Sequence, residues 1–256
     1  MRTIATWTVN SLRVRLPQLT EWLATANVDI VALQETKLTD PDFPKAEIEA
    51  LGYQVAYSGQ RTYNGVAVRS RQPLTADAQQ IPGFPDEQRR VLAVETAGLR
   101  VIDLYVPNGQ VVGSDKYDYK LRWFAALAEW LGRELAGGQP VAVLGDYNVA
   151  PEDRDVHDPE AWRGQVLVSD AERDALRALL ALGFADAFRL FEQPDKSFSW
   201  WDYRMAAFRR NMGLRIDHIL LSAALASRCR SCSIDVEPRK LERPSDHAPV
   251  VCEIEA

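Results

Sequence analysis

Five apolar runs in this chain end in residues that a hydrophobic interior would not choose. "WTVNSL" offers Asn10, "VALQETK" offers Glu35, "VLGDYN" offers Asp146 and Asn148, "LRIDHI" offers Asp217, and "PSDHAP" offers Asp246 and His247. One Asp or Asn at a strand end is usually a turn or cap residue. Five such ends in one chain point instead to a shared site. Glu, Asp and Asn with a single His and no Cys form a hard, oxygen-rich donor set, which suits Mg²⁺ or Mn²⁺ rather than zinc. The customer of such an ion is a phosphate. Residues two apart share a face of a strand, so Asp146 and Asn148 are expected to point together, whereas Asp217 and His218 must point apart. His218 is therefore read as structural.

The elements that would carry these residues follow from periodicity. "TIATWTV", "LPQLTEWLATA" and "DIVALQE" read as strand, helix, strand, with Leu19, Trp22, Leu23 and Ala26 on one helical face and Pro17 suited to the first turn. "YQVAYS", "NGVAVRS", "RVLAVET" and "LRVIDLYVP" read as strands, and Asn64–Gly65 as a turn between antiparallel neighbours. A long helix follows, with Leu121, Phe124, Ala128, Leu131 and Leu135 on its apolar stripe. "PVAVLGD", apolar on both faces, must be central in its sheet. Ser169 and Glu172 form a capping box for the next helix, which Gly183 stops. "SFSWW", "LRIDHILLS", "CSIDVEP" and "APVVCEIE" complete the strands. Two helix-covered sheets are the simplest way to bury so many elements.

At 256 residues and 46% apolar content the chain supports one domain spanning 1–256. No run approaches the roughly 18 apolar residues of a membrane span, and no signal-like segment precedes Thr3. A cytoplasmic protein without a membrane partner is expected. Three cysteines, Cys229, Cys232 and Cys252, cannot all pair and read as ordinary reduced residues. A net charge of −6 argues against holding a polyanion over the whole surface, but not against a basic groove. Two basic patches are visible, Arg204, Arg209, Arg210 and Arg215 in one, Lys116, Lys120 and Arg122 in the other.

Taken in order, "VNSLRVR", "LQETK", "YNGVAV", "YVPNG", "KYDYKLRW", "GDYNVAPEDRD", "SFSWWDYR", "GLRIDHILLS" and "ERPSDHAPV" span nearly the whole chain. This series resembles the exonuclease III and AP endonuclease branch of the endonuclease/exonuclease/phosphatase superfamily. The resemblance implies a four-layer α/β sandwich of two mixed sheets flanked by helices, DNase I-like. It implies Mg²⁺-dependent hydrolysis of phosphate esters in DNA, with Mn²⁺ as a substitute. The partner would be double-stranded DNA with abasic sites, nicks or 3′ ends, and the protein a monomer. Carried over, Glu35 would be the principal metal ligand, with Asn10, Asp146, Asn148, Asp246 and His247 around the ion. Asp146 would align or deprotonate the attacking water, and Asn148 would hold water or phosphate. His247, oriented by Asp217, would donate to a phosphate oxygen that Tyr105 and Asn108 also meet. Trp200, Leu214 and Ile216 would line the pocket for an extrahelical sugar, and Arg209, Arg210 and Asn211 would meet the backbone.

Two positions depart from that pattern. The branch carries Asn where this chain has Thr8. Thr is shorter and offers one donor, so a water is expected to fill the space. Thr8 is therefore expected to lower activity or alter metal dependence, and an attenuated DNA-binding paralogue is the extreme form of that reading. His157, in "DRDVHDPEAW", stands where efficient abasic-site enzymes carry smaller residues. With Trp162 it would narrow the sugar pocket and favour 3′-phosphatase and 3′–5′ exonuclease chemistry over cleavage 5′ to internal abasic sites. A mainly AP endonuclease role is the alternative.

Overall fold

A computed structural model describes all residues, Met1–Ala256. Strands are numbered along the chain. The first sheet holds β1 (Arg2–Thr8), β2 (Ile30–Gln34), β3 (Gln54–Ser58), β4 (Val66–Ser70), β13 (Cys229–Ile234) and β14 (Val250–Ile254), in the order β13-β14-β1-β2-β4-β3. The second holds β5 (Leu74–Ala78), β6 (Val91–Thr96), β7 (Leu99–Tyr105), β8 (Val141–Asp146), β9 (Ala185–Asp186) and β12 (Asp217–Leu221), in the order β5-β6-β7-β8-β12-β9. A short ribbon pairs β10 (Trp200–Trp201) with β11 (Gly213–Leu214). The helices are α1 (Leu12–Ala26), α2 (Lys45–Glu49), α3 (Asp115–Ala136), α4 (Pro159–Trp162), α5 (Asp170–Ala181) and α6 (Ala223–Ala226).

Both sheets are mixed. β1 runs parallel to β2 and β7 parallel to β8, while the other pairs are antiparallel. The expected four layers are present. One core lies between the sheets, including Ile4, Ala32, Val68, Val101 and Leu144. A second joins α1 to the outer face of the first sheet through Leu19, Trp22 and Leu23. The third joins α3 and α5 to the outer face of the second sheet through Phe124, Leu127, Leu131 and Leu176. The apolar β8 is interior to its sheet, as its two-sided composition requires.

Along this seam the inner faces change character. Leu99 and Val101 of β7 are followed by Asp103 and Tyr105, Ala142 and Leu144 of β8 by Asp146, and Ile4 of β1 by Thr6 and Thr8. The site therefore grows out of the polar end of the inter-sheet core. β8 and β12 pair without a break, Asp146 opposite Asp217 and Gly145 opposite His218. Register shifts occur elsewhere, between Cys229 and Ser231 and between Ala76 and Ala78.

Several local expectations need correction. Pro17 lies inside α1, not in its first turn. The helix starts earlier because the loop after β2 accepts from its first N–H groups, Ser11 N to Glu35 O at 2.8 Å and Leu12 N to Thr36 O at 3.0 Å. Pro17 and Arg13 are both exposed, so the proline that removes one helix hydrogen bond lies on the solvent side of α1. Asn64–Gly65 does join antiparallel neighbours as expected, at the end of a longer loop between β3 and β4. The buried row of α3 is Tyr117, Lys120, Phe124, Leu127 and Leu131, leaving Leu121, Ala128 and Leu135 only half-buried. The edge strand β5 had no legible pattern, since its middle residues are exposed. The three cysteines are free and buried, as expected.

Candidate active site

The strand ends converge, but by a different device from the one inferred. Asp146 is the last residue of β8, and Asn148 has left the strand in a left-handed conformation with φ 49°. Its backbone N–H donates to Asp146 Oδ1 at 2.9 Å. Asn10 and Glu35 use the same turn, with φ 47° and 53°. Such backbone costs a non-glycine residue of order 1 kcal/mol or more and clusters at functional sites. Here it re-aims a side chain just beyond a strand. Gly145 is needed beside Asp146 because a Cβ there would meet the Leu104 carbonyl oxygen at 1.9 Å.

The centre is His247, buried like Asp146 and Asp217. Its Nδ1 lies 2.8 Å from Asp217 Oδ2 and its Nε2 3.8 Å from Asp146 Oδ2. Burial disfavours the charged ring, but Asp217 and then Asp146 outweigh it, and His247 is pushed up to about 10. Burial, followed by repulsion from Asp217 and Glu35, pushes the Asp146 carboxyl well above the usual range. Asp217 is fixed at its backbone, where Ser199 Oγ accepts from the N–H of Ile216 and of Asp217, both at 3.0 Å. His218, across the strand, takes Arg215 Nη1 on Nδ1 at 3.1 Å and reaches the Val149 carbonyl through Nε2 at 2.8 Å. An imidazole that accepts on one nitrogen and donates from the other is neutral, and His218 is structural as expected.

Thr8 reaches the pair directly. Its Oγ1 lies 3.1 Å from Asp217 Oδ1 and 3.2 Å from Gln34 Oε1. The water expected to bridge a gap at Thr8 is thus not needed to connect it to Asp217.

Around the centre, Tyr105 donates to Glu35 Oε1 at 2.9 Å. Asn10 Nδ2 donates to Asp246 Oδ1 at 3.0 Å, while Trp200 Nε1 donates to Asp246 Oδ2 at 3.1 Å. Lys37, which sequence reasoning passed over, donates to Asn10 Oδ1 at 2.6 Å and stands 4.0 Å from Glu35. Its place two residues after Glu35 in "QETK" was the available signal. The direct ion pairs to Glu35, Asp146 and Asp217 come from Lys37 and His247, while Arg239 and Lys120 act on Asp246 and Asp146 from farther off, leaving the acids in excess close by. That surplus, made of oxygen donors, fits a divalent cation. Ligand atoms of Asp146, Asp217 and His247 also lie within 4.8 Å of one another, but a ring held protonated by two carboxylates offers no lone pair to a metal, so the cation is expected nearer Glu35.

The residues expected to meet DNA divide. Arg209 and Arg210 are exposed, and Asn108 is exposed beside Asn148, with its Nδ2 3.5 Å from Asn148 Oδ1. Asn211 spends its carboxamide on β10 and the segment before it, accepting from Trp201 Nε1 at 3.0 Å and donating to Lys196 O at 3.1 Å. Leu214 and Ile216 are buried with Val156, leaving Trp200 as the half-buried member of the expected pocket wall. Two basic residues were misplaced. Arg215 is buried between Asp155 and Asp186, with nitrogens 2.7 and 2.8 Å from their oxygens. Lys120 is buried 2.5 Å from Glu172. Both are clamps rather than surface charges. A second basic groove, at Arg13, Lys37 and Arg61, was not foreseen because its members are scattered in sequence. His157 sits against the ribbon, Nδ1 3.2 Å from Gly213 O, with Trp162 edge-on at 6.4 Å between ring centroids.

This constellation, at the polar end of a two-sheet sandwich, defines a phosphoesterase-type site. The profile of the Endonuclease/Exonuclease/phosphatase family matches residues 5–247. The chain is 36% identical to exodeoxyribonuclease III of Haemophilus influenzae, over 96% of this chain and 97% of that protein. Among solved structures, the 3′ phosphatase NExo from Neisseria, bound to a product DNA hairpin, is similar at TM-score 0.95 and 44% identity, with both chains fully covered. An AP endonuclease from Archaeoglobus fulgidus is similar at TM-score 0.96 and 36% identity, again with both chains fully covered. The chain belongs to the exonuclease III and AP endonuclease branch of the endonuclease/exonuclease/phosphatase family.

Proposed function

We propose that this chain is a Mg²⁺-dependent DNA repair phosphoesterase that acts chiefly at DNA 3′ ends, removing 3′-phosphate, other blocking groups and nucleotides. The observation that carries the reading is His247, a buried ring whose two nitrogens face Asp217 and Asp146. Held protonated by those carboxylates, it can donate a charge-assisted hydrogen bond to a non-bridging phosphate oxygen, where charge develops during attack. Asp146, whose carboxyl holds a proton more readily than usual, is suited to orient the attacking water and accept its proton. Tyr105 stays neutral because burial and then Glu35 raise its phenol, so its hydroxyl remains a donor. Glu35, Asp246 and Asn10 would hold Mg²⁺, with Asp146 and Asn148 close by. Bound there, the ion supplies Lewis-acid stabilisation of the phosphate and leaving oxygen.

The preference for 3′ ends is supported by His157 and Trp162 packed beside β11, where an extrahelical sugar would need room, and by the likeness to a 3′ phosphatase. A side-by-side assay tests it. An internal abasic duplex, a nick bearing 3′-phosphate and a recessed 3′-hydroxyl end are each incubated with Mg²⁺ and with EDTA. Hydrolysis should vanish with EDTA and return with Mg²⁺, and 3′-phosphate removal should outpace abasic-site cleavage. His157→Gly should narrow that difference. Equal wild-type rates on the two substrates would contradict the occlusion.

A further inference from the structure

The polar seam contains an acid that the site does not account for. Asp103, on the inner face of β7, is fully buried. Its Oδ1 accepts from Gln34 Nε2 at 2.7 Å, and its Oδ2 meets no hydrogen-bond partner. Burial raises its carboxyl well above the usual range, outweighing Gln34 and the Ala67 and Leu33 backbone, so it takes up a proton more readily than a free carboxyl. A Val or Leu here would extend the apolar stripe of Leu99 and Val101, and half-satisfied buried polar groups are costly. Its side-chain partner is Gln34, and the role of the acid is sought in what it does to that amide.

Gln34 gives its other amide hydrogen to Thr6 Oγ1 at 2.9 Å. With both hydrogens engaged, its Oε1 is turned to the Thr8 hydroxyl at 3.2 Å. Thr8 in turn stands 3.1 Å from Asp217 Oδ1, and Asp217 Oδ2 holds His247 Nδ1 at 2.8 Å. An unbroken series of side chains thus runs from the middle of the second sheet, across the seam, to His247. Without Asp103 the Gln34 amide is free to turn over and donate to Thr8 Oγ1, which commits the single Thr8 proton, contested until then by Gln34 Oε1 and Asp217 Oδ1, to Asp217 alone and changes how Asp217 holds His247.

We propose that Asp103 and Gln34 are positioning residues for the hydrolysis, fixing the Thr8 hydroxyl between Gln34 and Asp217 and, through Asp217, the orientation of His247. This rests on the proposed role of Asp217 and His247. Neither Asp103 nor Gln34 touches substrate.

The test uses the full chain, Mg²⁺ and a duplex with a 3′-phosphate nick. Asp103→Leu removes the acceptor and keeps the volume apolar; Asp103→Ala does so without the risk of overfilling. Either should lower kcat by about 10- to 100-fold, the range for partners that orient a site from behind, with KM unchanged. Asp103→Asn keeps an oxygen toward Gln34 and should recover most of that loss. If the effect passes through Thr8, Thr8→Val with Asp103→Leu should be no slower than Thr8→Val alone. The His247 ring N–H proton resonance, recorded without metal, should move in Asp103→Leu and stay in place in Asp103→Asn. A packing role alone predicts the reverse, with equal or greater thermal stability and unchanged kcat. Unchanged kcat in folded Leu and Ala variants, or losses that multiply with Thr8→Val, would overturn the relay. Asp217→Ala and His247→Ala are run beside them, and hydrolysis that survives either change would mean the underlying site reading has failed instead.

Discussion

Thr8 has one proton and two oxygens in reach of it, Asp217 Oδ1 and Gln34 Oε1. An Asn there would bring two N–H donors and could serve both. Thr8→Asn is therefore expected to raise kcat several-fold in steady-state 3′-phosphate removal, and unchanged turnover would refute the idea that Thr8 attenuates the site. At this scale the sequence was informative about residue types and poor about placement. Asn10, Glu35, Asp146, Asp217, Asp246 and His247 stood out because each interrupts an apolar pattern. Asp103 also interrupts one, in "VIDLYVP", yet it lies inside a strand, where nothing local distinguishes a functional acid from an edge residue. Nor could spacing show that Asn148 reaches the site by a left-handed turn rather than by strand alternation.

The capping box of α5 shows how an element can carry more than its motif announces. Ser169 and Glu172 cap the helix as expected. Glu172 is also the buried counterion of Lys120 on α3, and Lys120 Nζ donates to the carbonyls of Asn108 at 3.0 Å and Asn148 at 2.7 Å. One ammonium therefore ties α3 and α5 to both loops beside the candidate site. Removing one partner of a buried ion pair leaves an uncompensated charge, at a cost of about 3–5 kcal/mol. Lys120→Met should destabilise the protein by about that much in urea unfolding, and a change at Glu172 to an apolar residue in the same chain should restore part of the loss. A loss under 1 kcal/mol for the single variant would show that the pair is not structural. Charge clustering had grouped Lys120 with Lys116 and Arg122 as a basic patch, because a composition pattern assigns lysine outward and cannot see a partner 52 positions away.

For the whole molecule, the layered sandwich was legible because its strands are apolar runs with clear turns, and the helices that cover them are amphipathic. What binds the layers at the site's edge was not. Arg215 joins Asp155 and Asp186, 60 and 29 positions away in sequence, to His218 just after it in the chain. Burial works against both carboxylates, yet Arg215 holds each below the ordinary value. Their contribution to stability is complete above the unfolded carboxylate range, near pH 4, and is lost as pH falls through the lower folded values. Urea midpoints should therefore decline steeply below about pH 4, and less steeply in Asp155→Asn, which starts lower. Parallel curves for the two proteins would count against the clamp.

The unbroken pairing of β8 with β12 has an evolutionary consequence. With Asp146 opposite Asp217, a shift of one residue would exchange Asp217 for His218 and aim every side chain of β12 at the wrong layer. The chain can drift by substitution along these strands but has no slack for a single-residue insertion or deletion there. At the sheet margins, near Cys229 and Ala76, register is already offset, and lineages can gain or lose a residue without disturbing the candidate site.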